Sequence, residues 1–207
     1  MQTLAANSVD LLLTDIPYDG VNRNSNGLRN LNKGKADILT FDLNNFLNEC
    51  YRVTKNTIII FCGVTQVSDI VKYFYNHQEK KKGTVRQLIW SKTNPSPMNG
   101  QYVYLSSIEN MVWFRKPKGT FNAHCKKAVF TFPNGRSKIH PTEKNIDLIK
   151  ELIKDNSNEG DLIFDPCAGG GTIPLAAKEL NRNFIGCELD KEWADKANKR
   201  IENLSQD

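Results

Sequence analysis

The sequence predicts an α/β fold in which a mostly parallel β-sheet is covered by helices on both faces. Short apolar runs, which are typical of buried strands, alternate along the chain with segments whose apolar residues recur at helical spacing. Such alternation favours parallel strands that are joined by crossover helices. The 207 residues are enough for a substantial core, and no linker-like stretch divides them. We therefore expect one domain that spans residues 1–207.

The individual elements follow from this alternation. Strands are predicted where β-branched and other apolar residues cluster, at residues 9–14, 57–62, 85–90, 108–114, 161–164 and 183–187. Helices are predicted where apolar residues recur every three or four positions, at residues 42–53, 67–75, 173–180 and 191–204. A further helix opens at residues 140–145, where Thr142 can cap it, and the basic segment 115–139 before it is predicted to be irregular.

Composition excludes several classes of protein. No apolar run approaches the roughly 18 residues that a membrane-spanning helix needs, and the first residues lack the charged-then-apolar pattern of a signal peptide. The five cysteines show no Cys-x-x-Cys spacing, which indicates reduced thiols in a cytoplasmic protein. The three histidines have no repeat spacing, so we expect no dedicated metal site.

Basic residues are concentrated in two segments that are predicted to be loops, although the net charge of +5 is modest. Residues 115–138 contain no Asp or Glu, and neither do residues 20–36. Clustered bases on loops favour a polyanionic partner, whereas a solvated loop surface is the alternative. The basic residues concerned are Arg23, Arg29, Lys33, Arg115, Lys116, Lys118, Lys126, Lys127, Arg136 and Lys138.

A glycine-rich loop follows the predicted strand at residues 161–164. Asp165 ends the strand, and Gly169, Gly170 and Gly171 precede a helix, which lets backbone N–H groups approach a ligand closely. The loop lacks the Gly-Lys-Ser/Thr of a Walker phosphate site and does not match G-x-G-x-x-G. Glu188 ends the next strand, where a carboxylate can accept hydrogen bonds from ribose hydroxyls. A ribose site without a phosphate site fits S-adenosylmethionine, and a tight turn with a surface acid is the alternative.

The turn Asp15-Ile16-Pro17-Tyr18 follows the first predicted strand. The exocyclic amine of a nucleobase is a poor nucleophile, because its lone pair is delocalised into the ring. Two acceptors, the Asp15 carboxylate and the Ile16 carbonyl, can bind its two N–H groups and direct the lone pair at an electrophilic methyl. Pro17 stiffens the turn, and Tyr18 offers a ring on which an extruded base can stack. A strand that ends in a β-turn is the alternative interpretation.

Five segments match one known set of motifs. They are residues 7–18, which end in the Asp-Ile-Pro-Tyr turn, residues 88–92 (Leu-Ile-Trp-Ser-Lys), residues 140–145 (His-Pro-Thr-Glu-Lys-Asn), residues 164–172 (Phe-Asp-Pro-Cys-Ala-Gly-Gly-Gly-Thr) and residues 186–190 (Gly-Cys-Glu-Leu-Asp). Together they resemble the bacterial and phage DNA amino-methyltransferases, which methylate N6 of adenine or N4 of cytosine. The resemblance is to the group whose catalytic motif precedes its cofactor motif, and it covers nearly the whole chain.

The resemblance implies a Rossmann-like class I methyltransferase fold with a seven-stranded sheet. In that fold the catalytic turn and the glycine loop leave adjacent central strands at the crevice where open α/β sheets bind ligands. It also implies S-adenosylmethionine as the methyl donor and double-stranded DNA as the substrate, with the target base flipped out of the helix. A small basic insertion around residues 91–139 would contact the DNA.

The family's site residues are carried over by motif. Asp15 and Ile16 would orient the amine, Pro17 would stiffen the turn, and Tyr18 would stack on the base. Thr142 and Lys144 would reach the methionine carboxylate, Gly169 and Gly171 would pack against the cofactor, and Glu188 would hold the ribose. The full cofactor set is His140, Thr142, Lys144, Phe164, Asp165, Pro166, Cys167, Gly169, Gly171, Thr172, Glu188 and Leu189.

The first motif residue matches the family and bears on the target base, whereas three other features depart from the family's pattern. Asp15 favours adenine, because the N4-cytosine enzymes often carry Ser there. The family usually has Pro where Ile16 stands, so we expect a slightly freer turn, and the chain begins close to the catalytic motif, so a leader strand is expected to be short or missing. The small region at 91–139 predicts short or relaxed specificity, or a homodimer or a restriction or specificity partner that supplies part of it.

Other functions stay open at this point. Pro166-Cys167 and Glu109-Asn110 invite a C5-cytosine methyltransferase, although the two motifs occur in the wrong order and Cys167 lies within the cofactor loop. A subunit that binds DNA or cofactor without chemistry is a second alternative. Methylation of RNA or of a protein glutamine is a third, and the glutamine enzymes usually carry Asn where Asp15 stands.

Overall fold

In the computed structural model, which describes residues 1–18, 41–97, 100–135 and 143–204, seven strands form one sheet and five helices pack on it. The sheet order is β5-β3-β4-β2-β1-β6-β7, and β4 is the one antiparallel strand among those described. The predicted α/β class and the mostly parallel sheet are confirmed. The elements are β1 (Val9–Asp15), α1 (Leu43–Val53), β2 (Thr54–Cys62), α2 (Val64–Glu79), β3 (Thr84–Lys92), β4 (Ile108–Arg115), β5 (Val129–Phe132), α3 (Ile146–Asn156), β6 (Leu162–Asp165), α4 (Thr172–Glu179), β7 (Asn183–Gly186) and α5 (Lys191–Asn203).

The central strands are apolar on both sides because both faces of the sheet are covered. In β1, Leu11 and Leu13 pack with residues of α3 and α4, whereas Leu12 packs on the other face with residues of α1 and α2. Successive side chains of a strand point to opposite faces, so a strand buried on both sides reads as a continuous apolar run. The predicted placement of helices on both faces is confirmed.

Two local predictions are wrong. The segment 115–139 was expected to be irregular, yet it contains β5, which pairs in parallel with β3. Four residues at the edge of a sheet give too short a pattern to stand out from a loop. The helix α3 is capped by Asn145, whose side chain accepts the N–H groups of Asp147 and Leu148, and not by Thr142, which lies outside the described residues.

The topology brings the two predicted motifs together. Although 150 residues of chain separate them, β1 and β6 are neighbours, with Leu11 opposite Ile163 and Leu12 opposite Phe164. Because these strands are parallel, Asp15 and Asp165 both lie where the strands finish. We call this end of the sheet, where all strands but β4 finish, the carboxyl end, and the opposite end the amino end. No described helix is long and apolar enough to cross a membrane.

The glycine loop depends on a close contact with α5. Gly171 precedes α4 in the left-handed conformation, with φ of 76°. A Cβ atom at this position would lie 2.8 Å from the Cβ of Ala197 in α5, which is closer than such atoms approach. The missing side chain therefore makes room for α5. The contact of Gly171 with the cofactor, which the resemblance implies, stays a prediction.

We expect Gly171→Ala to destabilise the protein more than Gly160→Ala does. Both glycines have positive φ, so both substitutions add backbone strain, but a Cβ at Gly160 meets no atom within 4 Å. Overpacking against Ala197 adds about 1–3 kcal/mol, so Gly171→Ala should melt about 2–12 °C below Gly160→Ala in thermal denaturation. Equal melting temperatures of the two variants would contradict the contact with α5.

Candidate active site

Four charged side chains form a chain of ion pairs at the carboxyl end of the sheet. Lys144, just before α3, places its Nζ 2.8 Å from Oδ2 of Asp15 and 3.0 Å from Oε2 of Glu109. Glu109 near the start of β4 also accepts Nζ of Lys92, which ends β3, at 2.7 Å. Lys144 is buried between the two carboxylates, with 9% of its side chain exposed. Residues from β1, β3, β4 and the start of α3 are thus joined by charge.

The charges in this cluster depend on one another. Burial alone would lower the pKa of Lys144, but attraction to Asp15, Tyr18 and Glu109 outweighs it and raises that pKa well above its ordinary value. Burial alone would raise the pKa of Glu109, yet Lys144 and Lys92 hold it below its ordinary value. For Asp15 burial wins, so its pKa is raised even though Lys144 opposes the shift.

Asp15 has one oxygen bound and one unbound. Lys144 holds Oδ2, while Oδ1 is buried and has no hydrogen-bond partner within the described part of the chain. A buried acceptor without a donor is unfavourable by about 1–3 kcal/mol, so such atoms are uncommon in folded proteins. A ligand that brings an N–H group to Oδ1 would satisfy it. The fixed position of Oδ2 leaves this second oxygen available to such a donor.

The turn after Asp15 is held from two sides. The N–H of Ile16 donates to the carbonyl of Phe61 at 3.2 Å, and the Ile16 side chain is buried in the core. Gln66 donates from Nε2 to the carbonyl of Pro17 at 3.0 Å and accepts the N–H of Gly63 at 2.8 Å. Ile16 thus gives the turn an N–H donor that proline would lack, which opposes the expected freedom of the turn, and the freer turn itself stays a prediction.

The ring of Tyr18 is oriented by the same ion-pair cluster. Its hydroxyl donates to Oε2 of Glu109 at 3.2 Å, and its ring centre lies 5.1 Å from Nζ of Lys144. Glu109 thus holds the hydroxyl of Tyr18, and Lys144 contacts the face of its ring. Tyr18 lies beside Asp15 as the motif predicts, so an acceptor and a flat aromatic surface share one site.

Two adjoining cavities lie over the glycine loop. The first, of about 120 Å³, is lined by residues that include Asp15, Lys144, Gly169 and Gly170. The second, of about 650 Å³, is lined by Phe41 and by the predicted cofactor residues Pro166 and Leu189. Pro17, Cys167 and Glu188 line both cavities. The first alone is smaller than the 300–1,000 Å³ typical of small-molecule sites, so a cofactor would extend through both.

Glu188 is fixed by backbone N–H groups at the junction of the cavities. Its Oε2 accepts the N–H of Gly169 at 2.8 Å, and its Oε1 accepts the N–H of Asp190 at 2.9 Å. Asp165 lies buried nearby, where Oδ1 accepts the hydroxyl of Thr14 at 2.8 Å and the N–H of Cys167 at 3.1 Å. Burial raises the pKa of Asp165 to about 7, although these two donors oppose the shift.

Glu143 is a site residue whose importance the sequence reasoning missed. Its Oε1 accepts the hydroxyl of Thr172 at 2.9 Å and pairs with Arg200 of α5 at 2.6 Å. Its Oε2 is buried and has no hydrogen-bond partner among the residues described. Glu143 lines the first cavity together with Thr172, so this oxygen can accept an N–H donor from a ligand there. Glu143 belongs to the 140–145 motif, but the resemblance implies contacts with the methionine end of the cofactor only for Thr142 and Lys144 of that motif.

Lys92 and Glu109 were also missed as site residues. Lys92 ends the Leu-Ile-Trp-Ser-Lys motif, and Glu109 has a predicted role only in the C5-cytosine alternative. The antiparallel pairing of β3 with β4 sets Ser91 opposite Ile108, which brings the two charged residues together at the carboxyl end. A charged residue at the end of an otherwise apolar run was the one available signal.

Several predicted cofactor residues lie away from the cavities, have other partners, or fall outside the described residues. Phe164 of β6 is fully buried in the core on the face of the sheet that α1 and α2 cover, and it lines neither cavity. Gly171 faces Ala197, as described above. Lys144 contacts Asp15 and Glu109 with two of its three N–H donors, so its predicted contact with a cofactor carboxylate can use only the third. His140 and Thr142 lie outside the described residues.

The residues of 115–127 that are predicted to contact DNA lie away from the crevice around Asp15, and their contact with DNA stays a prediction. Arg115 ends β4 and pairs with Thr84, the first residue of β3, so it lies at the amino end of the sheet. The nine residues of β3 separate that end from Lys92 by about 26 Å. The chain from Arg115 to the start of β5 therefore leaves the sheet at the end opposite the ion-pair cluster. This segment contains Lys116, Lys118, Lys126 and Lys127.

Two of these lysines are used inside the protein. Lys116 donates to the carbonyls of Tyr51 and Thr54 at the end of α1, and burial lowers its pKa to about 8. Lys126 pairs with Glu151 and Asp155 of α3, at 2.6 Å in each case. The remaining predicted DNA contacts lie outside the described residues: Arg23, Arg29, Lys33, Arg136 and Lys138.

Comparison with known proteins assigns the chain to a family. The N6/N4 methyltransferase family model, whose description is DNA methylase, matches residues 9–199. The chain belongs to this family. Type II methyltransferase M.HpaI of Haemophilus parainfluenzae is 31% identical over 98% of this chain and 71% of its own length. M.HinfI of Haemophilus influenzae is 28% identical over 99% of this chain and 66% of its own length.

A solved structure extends this likeness to the cofactor. The crystal structure of the M1.HpyAVI–SAM complex has a TM-score of 0.71 and 28% identity, covering 96% of this chain and 90% of that chain. The N6/N4 family member described here is accordingly an S-adenosylmethionine-dependent DNA methyltransferase. The C5-cytosine alternative fails on this assignment. It also fails chemically, because burial raises the pKa of the Cys167 thiol and makes it a poor nucleophile.

We expect Glu188→Ala to weaken S-adenosylmethionine binding roughly 10- to 150-fold, because a hydrogen bond to a charged group is worth about 1.5–3 kcal/mol. Isothermal titration calorimetry of the purified protein measures the change. Glu192→Ala, on the exposed first turn of α5, is the matched control and should bind like the wild type. Unchanged affinity in Glu188→Ala would remove the ribose assignment.

Proposed function

We propose that this methyltransferase transfers the methyl group to N6 of an adenine that is flipped out of double-stranded DNA. The observation that carries the proposal is Oδ1 of Asp15, a buried acceptor with no donor among the described residues, on a side chain that belongs to the lining of the cavity over the glycine loop. The exocyclic amine of a base can supply the N–H donor that this oxygen lacks. The ring of Tyr18 beside it supplies a stacking surface for the base.

The residues of the turn prepare the amine for reaction. Oδ1 of Asp15 accepts one N–H of the amine, and the carbonyl of Ile16 accepts the other. These two acceptors draw the nitrogen towards tetrahedral geometry, so its lone pair becomes available on the side of the glycine loop. The buried hydrogen bond of the Ile16 N–H to Phe61 keeps the second acceptor in place. Stacking on Tyr18 contributes about 1–3 kcal/mol, which offsets part of the unstacking of the base.

Lys144 and Glu109 position these groups. Lys144 holds Oδ2 of Asp15 and so directs Oδ1 at the amine. Glu109 holds both Lys144 and the hydroxyl of Tyr18, which couples the position of the acceptor to that of the ring. Neither residue needs to touch the base for this role. Attraction between Lys144 and Asp15 also favours the ionised form of Asp15, which is the form that accepts hydrogen bonds.

The residues around both cavities fit S-adenosylmethionine. Backbone atoms of Gly169 and Gly170 allow close approach, and the buried Oε2 of Glu143 can accept the cofactor's α-ammonium. Glu188 at the junction would hold the ribose, while Pro166 and Leu189 in the larger cavity would cover the adenine. When bound, the cofactor supplies an electrophilic methyl group on its sulfonium.

N4 of cytosine is the second candidate acceptor, because it presents the same two N–H groups. The aspartate at position 15 favours adenine, since the cytosine enzymes of the family often carry serine there. We also propose that residues 1–207 form one catalytic domain, and that the insertion around residues 91–139 contacts DNA through its part at the carboxyl end of the sheet. A homodimer or a restriction or specificity partner stays a prediction.

We expect Asp15→Ala to lower the methyl-transfer rate roughly 100- to 1,000-fold while cofactor affinity stays within about threefold of the wild type. The physical reason is the loss of the acceptor that polarises the amine. Transfer from labelled S-adenosylmethionine to unmethylated DNA measures the rate, and calorimetry measures the affinity. Asp10→Ala, at the amino end of the same strand, is the matched control and should retain transfer.

The same assay has a pH dependence with a definite sign. Burial raises the pKa of Asp15, so protonation removes the acceptor as the pH falls through this raised value. Wild-type transfer should therefore decline on the acid side at a pH above the 3.8 of an ordinary aspartate.

For the Asp15→Ala variant, methyl transfer at the wild-type rate would refute the proposed role of Asp15.

A further inference from the structure

A cluster of exposed apolar side chains lies in the loop that joins β3 to β4. Tyr102 is 79% exposed, Val103 is 61% exposed and Tyr104 is fully exposed. We call residues 100–107 the tyrosine loop. Single exposed apolar residues are ordinary, but several in succession mark a surface that binds a partner.

The tyrosine loop lies beside the candidate active site. It leads into β4 at Ile108, and the N–H of Lys92, the last residue of β3, donates to the carbonyl of Ser107 at 2.7 Å. Lys92 and Glu109, which flank the loop, belong to the ion-pair cluster that ends at Asp15. The loop therefore projects from the carboxyl end of the sheet, where the target base must enter.

The loop has a defined shape that leaves its tyrosines exposed. The N–H of Gly100 donates to the carbonyl of Pro97 at 3.0 Å, and that of Ser107 to the carbonyl of Leu105 at 2.7 Å. The side chain of Leu105 packs over Gly100, at 2.8 Å from where a Cβ would lie. Leu105 thus folds back on the loop, while Tyr102 and Tyr104 stay in solvent.

The lack of acidic side chains in this region makes it compatible with a polyanionic partner. Residues 93–107 contain no charged side chain, and between Glu79 and Glu143 the sequence has Glu109 as its one acidic residue. Glu109 is paired with Lys92 and Lys144. No exposed carboxylate of this segment would therefore repel phosphates.

We propose that Tyr102 and Tyr104 insert between DNA bases next to the target and fill the gap that the flipped base leaves. Extruding a base breaks its stacking with both neighbours, and an apolar side chain that enters the stack compensates for that loss. Tyrosine rings stack on any base, so the contact aids flipping without reading sequence. This inference rests on the proposed function, and it assigns the tyrosine loop a role in DNA distortion.

The test compares two DNA duplexes that carry the site which wild-type protein methylates. One duplex is fully paired, and the other has an abasic site opposite the target base, which removes the pairing that flipping must break. With the double variant Tyr102→Ala/Tyr104→Ala we expect kcat/KM to fall roughly 5- to 150-fold on the paired duplex. On the abasic duplex the loss should be less than about threefold, because flipping is already favourable.

Two matched variants separate the ring from other effects. Tyr102→Phe/Tyr104→Phe keeps both rings and should retain the wild-type rate. Tyr75→Ala removes an exposed tyrosine from the later part of α2, towards the amino end of the sheet, and should also retain it. Affinity for S-adenosylmethionine should be unchanged in all three, which shows that the cofactor site is intact.

Each other result overturns the inference. Wild-type rates on the paired duplex would show that the tyrosines do not act, and equal losses on both duplexes would show a role unrelated to flipping. If the double alanine variant and the wild type sediment with different masses in the absence of DNA, the loop mediates contact between copies of the chain. If the wild-type protein methylates no DNA at all, the proposed function fails as well, so the two failures are distinguishable.

Discussion

The buried ammonium of Lys144 between Asp15 and Glu109 is the interaction on which the rest of the site depends. Removing one partner of a buried ion pair typically costs about 3–5 kcal/mol, because the other charge is left without compensation. The ends of β1 and β3 and the starts of β4 and α3 are therefore held in one arrangement. This arrangement leaves Oδ1 of Asp15 without a donor among the described residues and gives the ring of Tyr18 a fixed place.

The sheet topology gives this charge cluster its neighbour. Because β1 lies beside β6, the cluster adjoins the glycine loop, and the two cavities meet at Glu188 and Cys167. An acceptor for an amine thus borders a space suited to a nucleoside. Methyl transfer requires this proximity, since the reacting atoms must be held in line within van der Waals distance.

Much of this arrangement could be predicted from the sequence, because it follows from local patterns and from the rule that parallel strands finish at one end of a sheet. The strands, the helices and the proximity of Asp15 to Asp165 are of this kind. Glu109 could not be assigned, because its place depends on the register of an antiparallel pair. Lys116 and Lys126 read as free bases, because their partners, in α1 and α3, are distant in sequence.

The identity of the modified nucleoside shows whether the site around Asp15 directs methylation of an exocyclic amine. The protein would be incubated with unmethylated double-stranded DNA and methyl-labelled S-adenosylmethionine, and the digested nucleosides would be separated by mass spectrometry. We expect label in N6-methyldeoxyadenosine. Label in N4-methyldeoxycytidine would contradict adenine as the target base alone, whereas label at C5 of cytosine, or no label in DNA, would show that the residues around Asp15 do not direct methylation of an exocyclic amine.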